Sequence, residues 1–329
     1  MNQSERRLAR QMASPGALPR PMAEQGRPGT AGFELPGKHK RVSLFGPTMV
    51  MPTVVIMLLL GAYPVVTGVL QSFTNATLGA KSHYIGLANY AQLLSSATFY
   101  TVVLNTLEWT VVGTVVTLIV STALALLLAQ PRRNGVFQLL WIVPWAMPQM
   151  TLAIIFLWLY TPLVGFLAGW AQHFGIVFPA LLASRHLALW AVLVPAIWST
   201  YSFGMLFIHA ALLGVDPQLI EAARMDGASV FQQFRLVKLP LIGSVVRVVA
   251  LLDFLWLFNQ FAVIWIMTEG GPANSTQILG SYAYYEAFMV RNIGLATTVG
   301  VVMLVVLLAF VMVFLGLARR TYGGLGVAR

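Results

Sequence analysis

Four residues in the last third of the chain combine useful chemistry with a useful spacing. Asp253, Trp256, Leu257 and Gln260 stand at i, i+3, i+4 and i+7, which on a helix puts them along one face. A carboxylate and an amide offer acceptors and donors to hydroxyl groups, and an indole offers a flat surface for C–H faces. That set suits a sugar. Thr200, Tyr201 and Phe203, in the run 198–203, bring hydroxyls and rings of the same kind. Ser and Thr in an apolar helix also serve as contacts between helices, so that reading stays open beside the first. Pro144 and Pro148, set among Trp141, Trp145 and Gln149, predict a kink that frees backbone carbonyls. A kink of this kind fits packing as well as it fits a ligand-facing position.

Other chemistries find little support. The chain has no Cys, which removes thiolate metal sites and thiol nucleophiles. Its five histidines, His39, His83, His173, His186 and His209, include no pair at i, i+4 and no neighbouring carboxylate, so no metal is expected. Residues 32–38 read G-x-x-x-x-G-K, but His39 follows where a Mg²⁺-binding hydroxyl is needed. Glu34 and Pro36 also place a charge and a missing N–H where donors must face phosphate. No cofactor is expected in this chain, and work driven by ATP would need the nucleotide and its Mg²⁺ on another one.

The elements that must position these residues are set by composition. Of 329 residues, 58% are hydrophobic and 9% charged, with a mean hydropathy of +0.78; soluble domains carry about 25% charged residues. A soluble globular enzyme is excluded. Six stretches are long and apolar enough to cross about 30 Å of hydrocarbon: 45–72, 102–129, 137–160, 187–213, 243–267 and 293–318. A weaker stretch, 163–183, reads as re-entrant or interfacial. Asp253 falls about halfway along the fifth span, where a charge is explained by function or by a partner such as Arg247 or a residue of a companion chain.

The net charge of +10 is a matter of topology. With the N-terminus inside, sixteen basic residues fall on the cytoplasmic side, against Lys81, Arg185 and Arg291 outside. This predicts N-in, C-in and an even number of spans, and it removes the nucleic-acid reading of a basic chain. Residues 1–44 are rich in Pro, Gly and Arg and read as a disordered cytoplasmic tail, leaving 45–329 as the membrane domain.

The loop 214–240 between the fourth and fifth spans reads as two short helices around a hinge. Asp216 caps the first, with Pro217 at its first position. Gly227 ends it in the left-handed conformation. Ser229 and Gln232 form a capping box for the second, and Pro240 marks its boundary with the fifth span. Glu221, Ala222 and Ala223 make a small knob with one anion, able to enter a groove on another protein. The run E-A-A-x-x-D-G-A, comprising Glu221, Ala222, Ala223, Asp226, Gly227 and Ala228, then F-x-x-F and Leu239-Pro240, resembles the EAA loop of ATP-binding-cassette importer permeases. The stretches 84–90 (YIGLANY), leading to Asn105-Thr106-Leu107, and 268–276 (TEGGPANST) resemble the sugar-transporting, maltose-permease-like branch.

That resemblance implies an all-α polytopic membrane protein with the type I importer permease fold. It implies a permease that passes a sugar, a di- or oligosaccharide, from an extracytoplasmic binding protein into the cytoplasm. The implied partners are two ATPase subunits, docked on the EAA loop, and a second related permease. The implied location is a bacterial inner membrane. It also implies that the Asp253 helix contributes to the substrate site. Another small polar solute such as glycerol phosphate is the nearest alternative. A membrane-embedded enzyme acting on lipid-linked sugars would need buried acid/base pairs that the spans lack, and an ion-driven transporter would show broken helices in paired halves and no docking loop. Because the tail carries neither motif nor core, deleting residues 1–36 while retaining Lys38, Lys40 and Arg41 is expected to preserve uptake. A transport-dead deletion at normal membrane abundance would refute this.

Overall fold

The computed structural model describes residues 45–77, 79, 81–129 and 140–323, with side chains over 48–317. The tail 1–44 with its G-x-x-x-x-G-K run, Arg132, Arg133 and the start of the third expected span lie outside the described residues. The chain divides into two compact units, Met1–Val54 and Val55–Arg329. Of the first, the described part is the opening of helix α1 (Phe45–Met57), an apolar helix that carries Pro52.

The second unit is helical throughout its described length apart from loops and two isolated β-bridges. A π turn, Leu58–Ala62, leads into α2 (Tyr63–Gln71), followed by α3 (Ala88–Ser95) and α4 (Ala97–Leu128). Next come α5 (Val143–Ala146), α6 (Gln149–Leu159), α7 (Phe166–His173) and α8 (Ala188–Leu213). The chain then forms α9 (Pro217–Met225) and α10 (Val230–Gln232), a π turn, Gln233–Lys238, and α11 (Leu239–Asn259). The chain continues through α12 (Ala262–Thr268), α13 (Leu279–Tyr284), a π turn and α14 (Ile293–Gly323).

Among the described residues, five helical runs are long and apolar enough to cross a membrane: Thr48–Gln71, Ala97–Leu128, Ala188–Leu213, Val230–Asn259 and Ile293–Leu317. The third expected span is not one helix. It breaks between α5 and α6 at Met147 and Pro148, where Met147 is extended (ψ 132°). A residue before proline is pushed out of the α region, and proline has no N–H to donate. The eleven residues of α6 rise about 16 Å at 1.5 Å each, short of the hydrocarbon thickness. The weaker stretch 163–183 holds only α7 and a 3₁₀ turn, Leu181–Ala183, with Phe166, Trp170 and Phe174 exposed along one face.

The fifth expected span is also divided. It ends as a helix at Asn259, and Gln260 (ψ 87°) separates α11 from α12. No Pro or Gly stands at this break, and side chains meet two of the carbonyls beside it. The Trp109 indole donates to the Leu257 carbonyl at 3.0 Å, and the Asn259 amide donates to the Leu255 carbonyl at 2.8 Å. The Leu257 carbonyl also accepts the Gln260 N–H at 3.1 Å. At the other end the expected boundary at Pro240 is not a break. The helical backbone runs from Val230 to Asn259, and Pro240 sits in the first turn of α11 directly after the π turn. A wide turn before a proline moves the carbonyl its ring would strike. The same pairing recurs where Leu58–Ala62 precedes Pro64.

The core sits where α4, α8 and α11 meet. Trp109, Val192, Leu257 and Ile264 are buried together in one cluster, and Ala125, Met205, Ile208 and Val249 in another. Glycines let the backbones approach. A Cβ on Gly113 would stand 3.0 Å from a Leu257 methyl, and one on Gly204 would stand 2.9 Å from both Ser121 Oγ and a Val249 methyl. Without a hydrophobic drive between helices in lipid, close packing of this kind is what holds them. The outward faces carry exposed Leu104, Ile119, Val194 and Leu308, as a hydrocarbon solvent requires.

Side-chain amides fix the loops at the other end. Asn89 donates to the Ser72 and Thr74 carbonyls at 2.9 and 2.8 Å. Asn105 donates to the carbonyls of Asn274 and Gln277 at 2.9 and 3.0 Å, and the Thr106 hydroxyl accepts from the Leu279 N–H at 2.9 Å. The N-T-L and TEGGPANST stretches, far apart in sequence, therefore meet. Gly204→Val is expected to overpack the contact of α8 with α4 and α11 by about 1–3 kcal/mol. The expected readout is a lower thermal midpoint of the detergent-purified protein, and an unchanged midpoint would refute the contact's importance.

Candidate functional site

Both helix breaks border one cavity of about 420 Å³. Trp145 and Gln149 reach it from the two sides of the Met147–Pro148 break, and Asn259 and Gln260 from the end of α11. Thr200 and Phe203 of α8 and Leu252, Asp253, Leu255 and Trp256 of α11 complete the lining. Irregular backbone at membrane depth is tolerated where protein or a polar cavity can satisfy it.

Among the polar residues of this lining, Asp253 is 1% exposed and Gln260 3%, while Gln149 is half-buried and Asn259 exposed. Asp253 Oδ2 and both amide atoms of Gln260 are buried and have no hydrogen-bond partner among the described residues. The Thr200 hydroxyl donates to the Ala196 carbonyl at 2.8 Å, which leaves its oxygen free to accept. One N–H of the Asn259 amide is taken by the Leu255 carbonyl, which leaves its second N–H and its own carbonyl oxygen. Trp145 and Trp256 keep about half their surface exposed, and the Trp145 and Phe203 rings lie 6.1 Å apart. No ion pair joins Asp253 to any described residue. Arg247, six residues earlier on the same helical run, projects about 240° further round the axis at 3.6 residues per turn.

Five of the seven residues read from the sequence as a substrate face line the cavity: Asp253, Trp256, Gln260, Thr200 and Phe203. Leu257 and Tyr201 do not. Leu257 is wholly buried against Gly113, with its carbonyl held by Trp109. Tyr201 lines a separate cleft with Trp141, Pro144 and Trp198. Gln260 arrives through the change of backbone direction after Asn259, not through the i+7 repeat. Leu252, Leu255 and Asn259 were not expected; Leu252 and Asn259 share the Trp256 face at i−4 and i+3, a signal the sequence does carry. A second buried carboxylate, Glu286, lies in the π turn after α13, outside the membrane-length helices. Burial raises its pKa, and a hydrogen bond from Tyr282 partly opposes the rise.

The loop 214–240 has the caps its sequence called for. The Asp216 carboxylate accepts the Gln218 N–H at 2.9 Å. Gly227 adopts φ +79°, while the Gly227 and Ala228 N–H groups donate to the Arg224 and Ala223 carbonyls, both at 3.0 Å. This is the paired closure that a left-handed residue makes possible at a helix end. Ser229 and Gln232 exchange both bonds of a capping box. Gln233, which is buried, donates to the Ala228 carbonyl at 2.8 Å and ties the two halves together. Glu221, Ala222, Asp226 and Gly227 are exposed, Ala223 and Ala228 half-buried. Leu239 and Pro240 stand apart from this knob, at the root of α11. Met225, Val230 and Phe231 add an exposed apolar surface that the sequence reading passed over.

Gly227→Pro removes an N–H that is in use and cannot adopt a positive φ, and Glu221→Lys reverses the exposed anion. Both are expected to leave insertion intact and to abolish transport and ATPase recruitment to membranes. Wild-type recruitment and transport by both variants would refute the docking assignment.

Comparison with known proteins gives the arrangement its context. Residues 113–322 match the family described as binding-protein-dependent transport system inner membrane component. The chain is 29% identical over 268 residues to the sn-glycerol-3-phosphate transport system permease protein UgpA of Agrobacterium fabrum, covering 79% of this chain and 90% of the relative. It is 26% identical over 311 residues to the diacetylchitobiose uptake system permease protein DasB of Streptomyces coelicolor, covering 89% and 92%. Its fold matches a chain of a bacterial alginate ABC transporter, solved in complex with an alginate pentasaccharide-bound periplasmic protein, with a TM-score of 0.75 at 20% identity, covering 84% of this chain and 94% of that one. ABC importer permeases work with a substrate-binding protein and ATPase subunits. The chain belongs to the binding-protein-dependent transport system inner membrane components, as a multi-pass permease subunit of an ABC importer.

Proposed function

We propose that this permease carries a sugar, a di- or oligosaccharide, from an extracytoplasmic binding protein across a bacterial inner membrane. It does so as one of two related permease subunits on a pair of ATPase chains. The observation that carries this reading is the cavity at the two helix breaks. Its lining sets the indoles of Trp145 and Trp256 and the Phe203 ring beside three amides, Gln149, Asn259 and Gln260, with the buried Asp253 and Thr200. Sugars need that combination, because their hydroxyls seek hydrogen bonds while their C–H faces seek rings.

ATP and its Mg²⁺ belong to the partner ATPases, which dock on the knob of Glu221, Ala222 and Ala223. The N- and C-termini lie in the cytoplasm with that loop, and six passes result if the broken α5–α6 segment crosses together with residues outside the described ones. A second reading, import of glycerol phosphate, is favoured by the likeness to UgpA over most of the chain.

Trp256→Ala removes a stacking face and Gln260→Ala removes both free amide atoms. Each is expected to lower uptake at limiting sugar about tenfold, at unchanged abundance of the assembled complex. Per-complex uptake equal to wild type for both, across a range of sugar concentrations, would take this cavity out of the substrate path.

A further inference from the structure

The segment between α6 and α8 lines no part of the cavity, and its surface is unlike that of a loop in water. Residues 134–184 contain no Asp, Glu, Lys or Arg. Packing at both ends fixes where α7 sits. A Cβ on Gly165, the residue before it, would stand 2.5 Å from the Thr161 carbonyl oxygen and 2.6 Å from that of Trp158, so the chain turns tightly over the end of α6. Leu167, Phe178, Leu181 and Leu182 pack on the core cluster that holds Val192 and Leu193 of α8. At 3.6 residues per turn, α7 then has three sides. Leu167, Ala168 and Ala171 face inward and are buried or half-buried. Gln172 and His173, with Gly169 between them, form a polar exposed side. Phe166 and Trp170, continued by Phe174, form an exposed aromatic stripe. The Trp170 and Phe174 rings lie 5.0 Å apart.

We propose that α7 is an anchor in the outer leaflet, with Phe166, Trp170 and Phe174 at the boundary between lipid head groups and acyl chains and with Gln172 and His173 toward water. The choice of leaflet rests on the proposed placement of both termini in the cytoplasm; the seating in lipid does not. Continuity with the lipid-facing surface identifies the occupant. Exposed Ile154 and Trp158 lead along α6 up to the segment, and exposed Leu187, Trp190 and Val194 lead away from it along α8. Trp158, Trp170 and Trp190 are thus three exposed indoles at and between the ends of those helices, and tryptophans gather at membrane–water interfaces. A helix with one apolar and one polar exposed side suits that boundary, since each side meets its own solvent. A soluble binding protein would leave the stripe facing water whenever it departed. Deeper entry is opposed by the non-helical backbone over 174–180, whose polar groups need partners that hydrocarbon does not offer. The groove of about 230 Å³ beside α7 is lined from that helix by Ala168 and Gln172, so it opens on the polar side and is clear of the stripe.

The test uses the absence of Cys from the chain. Phe166→Cys, Trp170→Cys, Gln172→Cys and Phe174→Cys are each made in the full chain, within an importer complex whose other subunits lack reactive thiols. Each is spin-labelled and reconstituted in vesicles of phosphatidylethanolamine and phosphatidylglycerol. Collisions with oxygen, which concentrates in lipid, and with a water-soluble nickel chelate report the depth of the label. The oxygen-to-nickel ratio is expected to be several-fold higher at 166, 170 and 174 than at 172, and lower than at Val115→Cys, an exposed position near the middle of α4. Adding the binding protein is expected to change none of these ratios. In intact cells, an impermeant maleimide is expected to label Gln172→Cys from outside. Three positions on one stripe keep the test decisive where one variant fails to assemble. A ratio as low at the stripe as at 172 would place the stripe in water and overturn the proposal. Few collisions with either reagent, with or without the binding protein, would show a protein cover and overturn it too. A ratio equal to that of Val115→Cys would make the segment re-entrant. Labelling of Gln172→Cys from the cytoplasmic side alone would overturn the proposed orientation, and the outer leaflet with it. None of these measurements depends on the solute carried, so a failure of sugar import is told apart from a failure of the anchor.

Discussion

The constraint on which the rest of this structure depends is that backbone polar groups find no partner in hydrocarbon. A chain under that constraint stays helical across the membrane unless something else takes up the groups a break releases. Here the two breaks, at Met147–Pro148 and at Gln260, open onto the same cavity, so the irregular backbone is concentrated beside polar side chains. Broken helices are a mark of ion-driven carriers. They occur in this importer subunit as well, for the same reason: polar atoms at depth need a place to be.

Packing follows from the same solvent. Lipid gives no hydrophobic drive for one helix to meet another, so α4, α8 and α11 are held by close approach at Gly113 and Gly204 and by single hydrogen bonds between helices. Ser121 to the Tyr201 carbonyl at 2.8 Å and Trp109 to the Leu257 carbonyl at 3.0 Å are examples. The latter does two jobs, since it also occupies a carbonyl at the point where α11 stops. Packing and the shape of the cavity are therefore set by the same side chains.

What the sequence made legible divides along physical lines. Local signals were readable: the capping residues Asp216, Ser229 and Gln232, the left-handed Gly227, the kink at Pro148 and four of the spans as continuous apolar helices over near-expected bounds. They depend on neighbours in the chain, and a sequence lists those. The end of α11 was not readable, because no Pro or Gly marks it, and the Trp109 contact beside it comes from almost 150 residues away. The same ignorance misassigned Leu257, which shares a helical face with Asp253 by periodicity but meets Gly113 in the fold. The motifs 84–90 and 268–276 were visible as motifs; that Asn105 would hold Asn274 and Gln277 was not, since a donor names no acceptor until the chain is folded. Nor does the sequence distinguish Pro240 as a boundary from Pro240 inside a continuous helical run, as the widening of the preceding turn decides the matter.

That continuous run has a mechanical side. From the capping box at Ser229 the helix proceeds without interruption through Val230–Asn259, 30 residues, and ends where the cavity begins. At 1.5 Å per residue this is a rod of about 45 Å. A rod of that kind bends little, so tilting it at the Ser229 end swings Asp253, Trp256 and Asn259 together at the far end. Gly227, with its positive φ, stands just before the rod, and the π turn Gln233–Lys238 is its departure from α geometry. The loop 214–240 and the cavity lining are thus joined by a single stretch of chain, with no relay of side-chain contacts between them.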